Sequence, residues 1–77
     1  MATHPRITRD PKILVGKPVI KGTRISVEFI LDLLAAHWSE AEILENYPQI
    51  ARENILASLA YARDVVQEVS AVPIAAE

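Results

Sequence analysis

The sequence contains no cysteine and only two histidines, His4 and His37, which are far apart and joined by no other metal-type spacing. A disulfide is therefore excluded, and a structural zinc site is not expected. No run of residues approaches the ~20 apolar positions of a membrane span. The start, Met1-Ala2-Thr3-His4-Pro5-Arg6, also lacks the apolar stretch of a signal peptide. These absences predict a cytoplasmic chain without a membrane partner and without a cofactor. What is left to hold 77 residues together is apolar burial. That length lies near the lower limit for a single unaided core. With 51% apolar residues, so small a domain has too little interior to hide them all, and a homodimer is the expectation.

Charge is present but unevenly placed. The formal total is −2, yet residues 1–26 carry six cations against Asp10, a net of +5. Residues 27–77 carry only Arg52 and Arg63 against nine carboxylates, a net of −7. A basic segment is what a phosphate backbone attracts. DNA is therefore the partner expected for the arm, with Arg9, Lys17, Lys21 and Arg24 as its phosphate contacts. The plainer alternative is a solvated basic face.

Punctuation along the chain divides it. Residues 1–6 read as a flexible N-terminus, 7–69 as one domain and 70–77 as an apolar, proline-containing C-terminal tail able to dock on a partner. Within the domain, 7–26 form a basic β-ribbon: Ile13-Leu14-Val15, Val19-Ile20 and Arg24-Ile25 are β-branched pieces between the breakers Asp10-Pro11, Gly16-Lys17-Pro18 and Lys21-Gly22-Thr23. Pro18 cannot donate to a ladder and belongs at a strand start or edge. A ribbon this small needs a surface to pack on, in its own subunit or exchanged with a partner's. Residues 27–69 form three helices. Ser26 offers a cap to the first, whose face is Val27, Ile30, Leu31 and Leu34. Ser39 and Glu42 make a capping box for a short second helix that ends before Pro48. Ile55, Leu59, Ala62, Val66 and Val69 give the period of a long third helix from about Ala51.

The order short helix, turn, longer helix, after a first helix with an apolar face, is the layout of helix-turn-helix domains. In that geometry the start of the third helix meets the major groove. Arg52 suits guanine or phosphate there and Asn54 suits adenine, with Ser58 one turn further on. The acidic helices oppose this, since a duplex is bound through counterion release. The run Gly16 to Thr23 is not a phosphate loop: Thr follows Gly directly, and the chain is too short for the parallel sheet. Its glycines read as turn formers. His37 suits a left-handed helix end. Trp38, Phe29 and Tyr47 read as core, and Tyr61 as outward-facing. No Ser, His and Asp set assembles, so the expectation is not an enzyme.

Asp10-Pro11, Gly16-Lys17-Pro18-Val19-Ile20, Gly22-Thr23-Arg24-Ile25, Ile43-Leu44, Tyr47-Pro48 and Leu59-Ala60-Tyr61-Ala62 together resemble the bacterial domain of unknown function 433, over roughly Ile7 to Val66. The resemblance implies a homeodomain-like fold, and hence a mainly α chain: a three-helix helix-turn-helix bundle preceded by a short N-terminal β-ribbon. It further implies a VapB-type antitoxin that binds a PIN-like ribonuclease toxin and represses its own operon as a dimer. His37 stands where that family usually has glycine, at a cost of ~1 kcal/mol if the backbone there is left-handed. Arg24 fits either a phosphate contact or a strut from ribbon to helix end. The competing function is a dimeric protein-interaction adaptor that binds no nucleic acid.

Overall fold

The computed structural model describes residues 4–69. The tail expected at 70–77 lies outside the described residues. Within them the chain is mainly helical, with three helices and a short antiparallel two-stranded sheet at its N-terminal side: β1 (Ile7–Arg9), β2 (Pro18–Ile20), α1 (Val27–Ala35), α2 (Glu40–Asn46) and α3 (Arg52–Val69). In the ribbon Ile7 faces Ile20, Thr8 faces Val19 and Arg9 faces Pro18. Pro18 opens β2, as its missing donor requires.

The strand expected at Ile13-Leu14-Val15 does not form. Leu14–Gly16 is a single 3-10 turn in which three successive residues have positive φ: 48° at Leu14, 57° at Val15 and 80° at Gly16. Local bonds take up the backbone groups there: Ile13 N–H donates to the Asp10 carbonyl, Gly16 N–H to that of Ile13, and Lys17 N–H to that of Leu14. The partner of β2 is instead Ile7–Arg9. Ile25 contributes one carbonyl, which accepts from Ile20 N–H at 2.9 Å, beside a lone Val19–Ser26 bridge. Between β2 and this bridge the chain reverses at Lys21-Gly22. Gly22 takes a φ of 84°, and Thr23 Oγ1 locks the turn, donating to the Ile20 carbonyl and accepting from Ile25 N–H.

The helices start and stop where their capping residues dictate. Ser26 Oγ accepts from Phe29 N–H at 2.9 Å to begin α1. At its end His37 has a φ of 71°, so His37 N–H donates to Leu34 and Trp38 N–H to Leu33, the Schellman pattern. The capping box at α2 is complete, with Ser39 and Glu42 bonding each other's backbone N–H.

The core is a cluster of isoleucines contributed by every layer: Ile20 from β2, Ile30 from α1, Ile43 from α2, Ile50 from the turn after it, and Ile55 from α3. Trp38 and Tyr47 pack against it, as do Ile7, Ile25, Leu33, Leu34 and Leu44. The ribbon thus closes on helices of its own chain, β2 against α1 and β1 against α3. Three burial expectations need correction. Phe29 is exposed, its ring edge-on to Tyr47 at 5.4 Å. Ser58 is fully buried and donates to the Asn54 carbonyl of its own helix, so it faces no groove. Leu59, Val66 and Val69 are exposed, because the described part of the body covers α3 only along the stripe through Ile55 and Ser58. No described helix is long and apolar enough to cross a membrane.

Candidate functional site

The basic ribbon is braced by its own loop. Asp10 Oδ1 accepts from Lys12 N–H, and Arg9 Nε donates to the Gly16 carbonyl at 2.8 Å. Val15, at the tip of this loop, is 94% exposed. Lys17 is not free to meet a phosphate without exchange: its ammonium lies 2.9 Å from Glu28 Oε1. This bond raises the Lys17 pKa and lowers that of Glu28. Lys21 and Arg24, at the turn after β2, are exposed and form no ion pair among the described residues. No hydrogen bond or ion pair joins Arg24 to a helix end among the described residues.

The start of α3 is differently furnished. Arg52 Nε donates to Glu40 Oε1 at 2.9 Å, tying α3 to the first turn of α2. Asn54 Oδ1 accepts from Ala51 N–H at 2.7 Å and caps its own helix. Bidentate pairing with adenine needs that oxygen, so it would first have to be released. The six sequence-derived residues therefore fall into two groups. Arg9, Lys17, Lys21 and Arg24 belong to the ribbon, whereas Arg52 and Asn54 lie at the far end of α3.

The separation is fixed by a contact that sequence reasoning missed. His4, left by the sequence in the flexible terminus, has its Nε2 2.7 Å from Asp64 Oδ2, and both side chains are largely buried. Tyr61 stands edge-on to the His4 ring at 5.3 Å, so it faces the ribbon and not outward. Hydrogen bonds from Arg63 and then His4 hold the Asp64 carboxyl below the usual carboxylate range. The ribbon is thereby anchored about 18 Å along the helix from Arg52. Nothing in the sequence pairs residues sixty positions apart.

Next to this anchor opens an apolar groove of about 270 Å³, walled by Pro18, Val27, Leu31, Tyr61, Val65 and Val66, with Glu28 at its edge. Its sequence signal was the surplus of apolar residues in the second half of α3. Among the described residues no group of three or more His, Asp or Glu is placed to hold a metal ion.

Residues 7–62 match the family model described as "Protein of unknown function (DUF433)". The chain is 38% identical over 61 residues to "Uncharacterized protein y4eO" of Sinorhizobium fredii (strain NBRC 101917 / NGR234), an alignment covering 79% of this chain and 28% of that protein. The chain thus corresponds to little more than a quarter of that relative's length. No solved structure matches it.

Proposed function

This chain belongs to the DUF433 family of proteins of unknown function, and we propose that it is an antitoxin-like, cytoplasmic DNA-binding protein that acts as a dimer. In this reading α2 and α3 are a homeodomain-like helix-turn-helix, and the complex with a PIN-like ribonuclease toxin represses its own operon. The observation that carries DNA binding is the pair Lys21 and Arg24, exposed at the turn that Thr23 closes by hydrogen bonds and unpaired among the described residues, beside Arg9 and Lys12 on the same ribbon. Phosphate contact through the ribbon supplies affinity. Arg52 and Asn54 add base preference only after exchanging their present partners. Leu56 and Leu59, three residues apart on α3 and each 42% exposed, suit the toxin contact.

A mobility shift with DNA from upstream of the reading frame tests this. Replacing Lys21 and Arg24 together by Ala should abolish retention at moderate salt while leaving the thermal midpoint unchanged. Retention equal to that of the unaltered chain would refute the ribbon as the DNA contact.

One observation favours a second reading. With Arg52 paired to Glu40 and Asn54 spent as a cap, the start of α3 presents no free base reader, as a dimeric adaptor without nucleic acid would have it. That reading requires no shift with any duplex, even at low salt.

A further inference from the structure

Val15 sits in a backbone conformation that suits it badly. Its φ is 57°, in the left-handed region where a β-branched residue is an outlier, and Leu14 before it has a φ of 48°. A turn that served only the fold would carry glycine or asparagine there. Val15 is almost wholly in solvent and Leu14 is also exposed, so packing within the chain does not offset the strain. Hydrogen bonds impose it instead: Arg9 Nε donates to the Gly16 carbonyl, Ile13 N–H to that of Asp10 and Lys17 N–H to that of Leu14. Two adjacent apolar side chains are thereby held out at the tip of a loop in the basic ribbon. Strain that the fold does not use points to a use outside it.

Unspent cations bracket this tip. The Arg9 bond sets its guanidinium beside Gly16 and engages Nε alone, so the terminal nitrogens carry no hydrogen bond among the described residues. Lys12, two residues before Leu14, forms no ion pair among them. Lys17 does not count, because Glu28 holds its ammonium. Within residues 12–17 the exposed apolar surface is confined to Leu14 and Val15: Ile13 is half-buried, and Gly16 and Lys17 follow. A tip so narrow between positive charges fits a base step between phosphates better than a lipid surface, which rewards a broader apolar area.

We propose, resting on the DNA reading above, that Leu14 and Val15 form a wedge that enters the minor groove and parts one base step, kinking the duplex, while Arg9 and Lys12 hold phosphates on either side. A minor groove about 6 Å wide admits a loop tip presented end-on, and its negative potential attracts the guanidinium. Apolar side chains inserted there unstack the step and bend DNA by about 20–90°. Flexible pyrimidine–purine steps deform at the least cost. The ribbon thus has a source of sequence preference that needs neither Arg52 nor Asn54.

A short duplex from upstream of the reading frame, with a donor dye at one end and an acceptor at the other, tests this with the full chain. Saturation with the unaltered protein should bring the ends together, read as a rise in energy transfer. The left-handed backbone accepts Val15→Asn better than valine, so the thermal midpoint of that variant should not fall. It should still bind with an unchanged salt slope, yet lose the rise in energy transfer. Lys12→Ala should do the reverse: the salt slope falls by about one while the saturated complex stays bent. Equal bending by Val15→Asn, or a bound duplex that the unaltered protein leaves straight, would overturn the wedge and leave the DNA reading standing. Failure to bind any duplex even at low salt would remove both. Co-sedimentation with phosphatidylglycerol vesicles that depends on Val15, without bending of DNA, would overturn the wedge in favour of a lipid surface.

Discussion

His37 ends α1 with a φ of 71°, a conformation that costs a residue with a side chain about 1 kcal/mol and glycine almost nothing. His37→Gly should therefore raise stability by up to about 1 kcal/mol, less what glycine adds to the freedom of the unfolded chain. In a domain this small the expected rise in thermal midpoint is a few degrees, read by calorimetry. A fall would mean that the ring, and not the backbone, is what the position uses. Ile30 is the opposite case. It is wholly buried among isoleucines from four other segments, and Ile30→Ala should destabilise by about 2–5 kcal/mol in the same measurement.

Element by element, the helices were legible because their signals are local. Ser26, Ser39 with Glu42, and the apolar face from Val27 to Leu34 all act within one or two turns. The capping box is a case with a test: Ser39→Ala should cost about 1 kcal/mol by chemical denaturation, and no loss would show that α2 is held by packing alone. The ribbon was only half legible. Pro18-Val19-Ile20 reads as a strand, but the β-branched Ile13 and Val15 give no hint that Leu14, Val15 and Gly16 are left-handed, and β1 is chosen by Ile7 fitting the core. Its anchor was illegible, since His4 and Asp64 meet only in the folded chain. Because the Asp64 carboxyl is held below its usual pKa, its contribution is fully present above about pH 4 and is lost as acid takes the pH down through the depressed value. Asp64→Asn should remove that part of the acid sensitivity. It should also speed amide exchange at Lys21, whose N–H bonds the Arg6 carbonyl in the ribbon. An acid profile identical to the parent's would show that the anchor stabilises nothing.

At the scale of the whole molecule, composition alone revealed a basic arm on an acidic body, and the fold explains which of those charges can act. Lys17 lies eleven residues from Glu28, and Arg52 twelve from Glu40, so neither pairing belongs to a helical repeat that the sequence displays. Both pairings remove a cation from the set that sequence reasoning offered to DNA. Left of that set are Arg9, Lys21 and Arg24, and with Lys12 the ribbon of residues 7–26 carries four cations that form no ion pair among the described residues. Counterion release then gives a number: four phosphate contacts imply a slope of about −3.6 in log affinity against log salt for one arm, and about −7 for a dimer placing both arms on one duplex. The acidic helices work against any closer approach, so a slope much steeper than −7 is not expected. A titration by fluorescence anisotropy from low to moderate salt separates the cases. A slope near −7 supports the dimer with both arms engaged, one near −3.6 means a single arm binds, and a slope near zero would leave the ribbon's charge without a part in binding.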